Sequence, residues 1–344
     1  MNSMAEQTSH LWTEVDYDAD GKQVSYLHLP HSVTRSAYGT LAIPLTVIKN
    51  GKGPTALLMA GNHGDEYEGQ VTLCKLIREI EPEDIQGRLI IMPAANMPAA
   101  MAGARVSPID DGNLNRAFPG SPSMSVTFQI AHYLDTVVVP KCEVWFDLHS
   151  GGGSLDYVPF ASISTSNDPK LDKRSMEILK AFGAPVSMVW TYLPDSRLAH
   201  ASAHKNKMVY LGGEFGGTAN VNPDGVKLTY DGVVRSLIHM GILKNTKKFK
   251  VGPPPAKIRW CELLGQSYYV YAPEAGLFEP VCKLGDMVKK GQLFGHVHFV
   301  DNPGREPVPA YFKDSGLLIC KRHYGRVERG DCIAHLATDC KAPA

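Results

Sequence analysis

The 344-residue sequence predicts an α/β domain with a mostly parallel or mixed sheet covered on both faces, followed by a smaller all-β domain. Three observations carry this expectation. Short apolar runs alternate with helix-period segments up to residue 250. A stiff Pro-rich segment, Val251 to Ala256, then interrupts the pattern. Beyond it the helical period vanishes, and short strand-like runs alternate with Gly and Pro turns. The expected division is therefore 1–250, a linker at 251–256, and 257–344, with a β-rich start reaching to about residue 50.

The elements follow in order. Tyr26 to Leu29 and Leu41 to Lys49 hold short Thr, Val and Ile runs between turn residues and read as strands. Thr55 to Ala60 is an apolar run stopped by Gly61-Asn62, as for a buried strand. Glu68 to Ile80 places Val71, Leu73, Leu76, Ile77 and Ile80 near helical period. Arg88 to Pro93 is a second buried strand, Val126 to Val138 a helix, and Glu143 to Leu148 a third strand. Lys173 to Phe182 reads as a helix, and Val186 to Trp190 and Lys207 to Leu211 as strands. Val226 to Met240 is a helix that Gly241 caps. In the C-terminal part, Gly276-Leu277-Phe278 leading to His296-Val297 is echoed by Gly316-Leu317-Leu318 leading to His335-Leu336, at an offset of about 39 to 40 residues. Two such β-halves about a pseudo-twofold make a small barrel or sandwich.

Charge narrows the function. Lys plus Arg and Asp plus Glu each total 35, so the formal net charge is zero. The balance is also local, with 12 basic and 10 acidic side chains in residues 257 to 344. Neither part has the basic excess that a phosphate backbone or an anionic membrane would select, so neither nucleic acid nor membrane is an expected partner. No apolar run approaches the roughly 20 residues of a membrane helix, and Met1 to Val15 lacks the apolar core of a signal peptide. Seven cysteines with no C-x-x-C spacing point to reduced thiols in a cytoplasmic protein.

Function must then rest on a few placed residues. His63 and Glu66 lie three apart just after a buried strand, where an imidazole and a carboxylate can hold one Zn²⁺, or merely form a polar turn. His149 follows another apolar strand and can supply a third ligand, leaving a fourth position for water, with Asp147 as its orienting acceptor. Glu214, flanked by glycines after a further strand, is the candidate base. Arg105, and Asn115 with Arg116, are candidates for gripping a carboxylate or an oxyanion.

The order G-N-H-G-D-E, N-L-N-R-A-F-P-G, F-D-L-H-S and G-E-F-G-G resembles the succinylglutamate desuccinylase/aspartoacylase family of carboxypeptidase A-like zinc hydrolases, over most of residues 40 to 340. The resemblance implies a zinc-carboxypeptidase-like mixed sheet flanked by helices and one Zn²⁺ per chain on His63, Glu66 and His149. It implies Glu214 as general base, Arg105 as helper at the scissile carbonyl, and Asn115 and Arg116 as binders of the substrate carboxylate. The implied activity is removal of an acyl group from a small N-acyl amino acid, in a soluble chain that can form homo-oligomers. The form R-V-S-P-I-D-D-G-N-L-N-R-A-F-P-G is similar to the bacterial branch of ectoine degradation acting on N-alpha-acetyl-L-2,4-diaminobutyrate. Aspartoacylase, succinylglutamate desuccinylase and carboxypeptidase activities are the alternatives. For a diaminobutyrate substrate, Asp110, Asp111 and Asp195 are the acidic candidates to face the distal ammonium.

A different class stays in view. Ala272 to Gly276 with Gly285 to Gly291 resembles biotinyl and lipoyl carrier domains, which would make the chain a binding or carrier protein. The segment between the halves, Phe299 to Pro307, holds no Lys to be modified, so a barrel-sandwich fold without the carrier function is expected. His200, His204, His296, His298, His323 and His335 are read as surface or core residues, and the scattered methionines as core filler.

Overall fold

A computed structural model describes residues 9–191 and 195–342. Part of the N-terminal segment considered above, residues 1–8, lies outside the described residues. The centre of the molecule is a mixed sheet. Its middle strands, Gly87–Met92, Thr55–Ala60, Val144–His149 and Val209–Glu214, run parallel. Phe160–Ser164 then pairs antiparallel to Val209–Glu214, and Val186–Trp190 pairs parallel to Phe160–Ser164. On the other side, Gly21–Pro30 and Thr40–Asn50 form an antiparallel hairpin that joins Gly87–Met92.

The middle strands are apolar on both faces because both faces are covered. Leu58, Leu73, Leu76, Phe146, Leu179, Phe182, Val233 and Leu237 share one core, under the helices Tyr67–Glu79, Pro169–Phe182 and Pro223–His239. Leu57, Met59, Ile90, Trp145, Ile130, Leu134 and Met208 form the opposite one. Local signals start and stop these helices. The Asp168 side chain accepts from the amides of Lys170 and Leu171, and Gly183 ends that helix at φ 68°. Asn222 caps the Pro223–His239 helix through the amides of Asp224 and Gly225. The segment expected as one helix from Val126 is α-helical to Tyr133 and continues as a wider π turn over Leu134–Val138.

The sheet does not stop at the Pro-rich segment. Arg259–Glu262 pairs parallel with Val186–Trp190 and antiparallel with Cys332–Asp339, which pairs with Gly316–Arg322. A second sheet of Val308–Tyr311, Leu293–His298, Gly276–Pro280 and Arg326–Val327 faces these strands across a core of Phe278, Phe294, Phe312, Leu318, Ile333 and Leu336. The internal repeat has a structural counterpart. Met287–Val288 of the first half pairs with Gly316–Leu317 of the second, and Arg326–Val327 of the second pairs with Gly276–Leu277 of the first. All seven cysteines are free, and among the described residues no helix is long and apolar enough to cross a membrane.

Candidate functional site

The site forms where the parallel strands end. The Thr55–Ala60 strand delivers the turn carrying His63, and Glu66 caps the start of the Tyr67–Glu79 helix. The two residues are brought together by a turn and not by a helical face. Gly64 between them lets that turn press on the backbone at Ala99, whose carbonyl a Cβ at position 64 would strike. His149 closes the adjacent strand, and Glu214 pairs directly with it in register.

His63, Glu66 and His149 are all buried. Glu66 lies between the two rings, with Oε1 2.6 Å from His63 Nδ1 and Oε2 2.8 Å from His149 Nδ1. The amide of Ser150 also donates to Oε2, at 3.2 Å. The far nitrogens face oxygens of Asn113 and Asp147. His63 Nε2 is 3.1 Å from Asn113 Oδ1. His149 Nε2 lies 3.0 Å from Asp147 Oδ2, close but off the hydrogen-bond line. Asp147 is fully buried, and the same oxygen accepts from Asn62 Nδ2 at 3.0 Å and from the Tyr210 hydroxyl at 2.8 Å.

This donor set fits a cation. With its Nε2 proton directed at Asn113, the His63 ring turns an Nδ1 lone pair toward an anionic carboxylate. Lone pairs facing a buried carboxylate repel it unless a positive charge joins them. One donor atom from each of the three residues lies within 4.8 Å of the other two, within reach of one ion. The carboxylates also favour positive charge at the cluster without a metal. Burial raises the Glu66 carboxyl, but His63 and His149 overcome it and hold it well below the usual carboxylate range. Burial pulls the His149 ring down, yet Asp147 and Glu66 together hold it well above 6.5. Burial dominates at His63 and lowers it.

The cluster opens on a cavity of about 420 Å³ lined by His63, Glu66, Arg105, Arg116, His149 and Glu214, among others. Burial, reinforced by Glu66, pushes Glu214 up to about 8, and its Oε2 has no hydrogen-bond partner. Arg105 Nη1 stands 3.4 Å from Glu66 Oε1. The Asn115 side-chain oxygen accepts from the amide of Ala199 at 2.9 Å, which leaves the NH₂ group for the cavity it lines. Arg116 binds the carbonyl of Asn115 and approaches Asp195 Oδ2 to 3.6 Å. All seven residues expected from the sequence therefore converge on one cavity.

Other expectations need correction. None of Asp110, Asp111 and Asp195 lines the cavity. Asp110 is engaged by the Thr127 amide and hydroxyl, both at 2.8 Å, and Asp195 by a bidentate pair with Arg197. His200 does line the cavity, where its ring packs edge-on to Tyr210. Sequence reasoning also missed Asn113, two residues before Asn115 in the same segment, and Tyr210. Tyr210 lies at i−4 from Glu214, so strand alternation puts both on one face and could have flagged it. Tyr269, from beyond the Pro-rich segment, closes one side of the cavity.

Comparison with known proteins agrees with this geometry. Residues 52–240 match the family described as the succinylglutamate desuccinylase/aspartoacylase catalytic domain. The chain is 40% identical over 332 residues to an N-alpha-acetyl-L-2,4-diaminobutyric acid deacetylase of Halomonas elongata, covering 96% of each chain. It is similar to the product-bound structure of the ectoine utilization protein EutE (DoeB) of Ruegeria pomeroyi. There the identity is 38% and the TM-score 0.91, covering 96% of this chain and 99% of that one. A succinylglutamate desuccinylase/aspartoacylase structure from Rhodobacter sphaeroides shares 37% identity at a TM-score of 0.89, covering 96% and 100%.

Proposed function

The chain belongs to the succinylglutamate desuccinylase/aspartoacylase family, and we propose that it is a zinc-dependent amide hydrolase that deacetylates N-alpha-acetyl-L-2,4-diaminobutyrate in ectoine breakdown. The observation that carries this reading is the buried His63–Glu66–His149 cluster with Glu214 beside it, in a chain similar along nearly its whole length to a deacetylase of that substrate. Two imidazoles and a carboxylate suit zinc and match a catalytic site with one position left open.

The chemistry zinc supplies when bound is Lewis acidity, which polarises the scissile carbonyl and acidifies an attacking water. The chain's own residues do the rest. Glu214 takes the proton of the attacking water and returns it to the departing amine. Its burial suits the second task, because a carboxyl raised to about 8 gives up a proton only to a strong base such as the leaving nitrogen. Arg105 faces the scissile carbonyl oxygen as negative charge develops there. Asn115 and Arg116 hold the substrate α-carboxylate, fixing the amide over the cluster. Asn113 and Asp147 keep Nδ1 of both histidines turned inward.

The C-terminal part supports a barrel-sandwich assignment of the biotinyl and lipoyl type, since each half lends its short strand to the other. Its segment Phe299 to Pro307 contains no Lys for a prosthetic group, so we assign it a structural role and retain the division at residues 251–256.

Assay of the zinc-loaded protein against N-alpha-acetyl-diaminobutyrate, N-acetylaspartate, N-succinylglutamate and a dipeptide tests the reading. The first substrate should give the highest kcat/KM. Preference for any of the other three would reassign the activity.

A further inference from the structure

The cavity poses a question that the proposed substrate sharpens. A diaminobutyrate side chain ends in an ammonium, yet the only carboxylates lining the cavity among the described residues are Glu66 and Glu214, which the proposed chemistry occupies. One wall, gathered around His335, offers rings instead. Tyr157, Trp190 and Tyr269 line it, each half-buried.

The strand pair beside Glu214 lines the same cavity with small residues. Gly212 pairs directly with Ser162, two residues along the strands from the facing pair of Glu214 and Phe160. Strand alternation puts Gly212 on the same face as Glu214 and Tyr210. The fold itself does not require glycine there. Position 212 has no positive φ, and an added Cβ would meet nothing closer than Tyr210 Cε1 at 3.4 Å, Ser162 Oγ at 3.5 Å and Asp147 O at 3.6 Å. Those are ordinary contacts. Gly213 next to it is different, because a Cβ there would strike the Phe215 ring and the Phe160 carbonyl. Gly213 serves packing, whereas the empty space above Gly212 belongs to the cavity.

Behind the rings lies His335, buried, with neither ring nitrogen hydrogen-bonded. It stacks on Tyr269 at 4.6 Å and 10° and on Trp190 at 5.8 Å and 25°. Burial pushes it down to about 3, so it adds no positive charge beneath the rings at neutral pH. An uncharged, electron-rich aromatic wall attracts an ammonium through its ring faces.

Resting on the deacetylase reading, we propose that the substrate side chain crosses Gly212 and Ser162, and that its distal ammonium is held by the aromatic wall of Trp190 and Tyr269 and not by a carboxylate. The test compares N-alpha-acetyl-diaminobutyrate with N-acetylnorvaline, which has the same side-chain length without the charge. Trp190→Leu, and separately Tyr269→Leu in case the first variant does not fold, should lower the ratio of kcat/KM for the charged over the neutral substrate by about tenfold. Gly212→Ala should keep wild-type zinc content and thermal stability. It should lower the ratio of kcat/KM for N-alpha-acetyl-diaminobutyrate over side-chain-free N-acetylglycine. An unchanged charged-to-neutral ratio in every folded aromatic variant would overturn the aromatic wall. An unchanged ratio in Gly212→Ala would overturn the path. If the wild type does not turn over N-alpha-acetyl-diaminobutyrate at all, the deacetylase reading itself fails and takes the inference with it.

Discussion

Glu214 and His149 stand opposite each other in register on neighbouring parallel strands, so the proposed base and a proposed zinc ligand share one rigid floor. Neither depends on a loop for its position. The sheet register that places one also places the other, and Asp147 and Gly212 form the next pair but one along it.

Asp147 should matter through His149. Its Oδ2 stands beside His149 Nε2 and is itself held by Asn62 and Tyr210. Asp147→Asn is expected to weaken zinc binding by about 10- to 100-fold. Tyr210→Phe should do the same to a smaller degree, because Asn62 still holds the carboxylate. Competition titration with a chelating dye measures both.

Zinc binding should release one proton near neutral pH. His149 is held well above 6.5 and is protonated in the bare site, while His63 is lowered and Glu66 lies far below neutrality. Among the three ligands it is then His149 that has a proton to lose, so affinity should fall as the pH decreases through neutrality. Calorimetry in buffers of different ionisation enthalpy counts the proton. Two protons released would mean that His63 or Glu214 gives one up as well.

His335 should make stability fall in acid. Its folded value, about 3, lies below the ordinary 6.5, so the unfolded chain binds a proton first. The stabilisation is fully present above about 6.5 and is lost as pH falls toward 3, at up to about 1.4 kcal/mol per pH unit. His335→Phe, which keeps a ring against Tyr269, should flatten the pH dependence of urea unfolding between pH 6 and 4.5. An identical slope in the variant would remove His335 from this role.

Much of the site was legible because its chemistry sits at the ends of apolar strands. His63, His149 and Glu214 each follow a run whose hydrophobicity marks a buried strand, and burial on both faces leaves the strand end as the place for polar side chains. What was missed depends on pairing between distant strands. Phe160–Ser164 is short, and its antiparallel place beside Val209–Glu214 brings Ser162 onto Gly212, a relationship no local pattern encodes. Ala199–Lys205 is a two-turn helix too short for periodicity to reveal. The acidic residues expected near a distal ammonium failed for a similar reason. Asp110 and Asp195 were candidates only as acidic residues, with nothing in the sequence to choose among them, and local partners at Thr127 and Arg197 claim them. The continuation of the sheet through Arg259–Glu262 likewise follows from a register that the Pro-rich segment hides.

The most direct test of the central claim is single-turnover hydrolysis of N-alpha-acetyl-diaminobutyrate by zinc-loaded Glu214→Gln, with bound zinc measured on the same sample. The proposed role for Glu214 predicts wild-type zinc content and a rate lowered by about 10²- to 10⁴-fold. Near-wild-type turnover with zinc bound would contradict it.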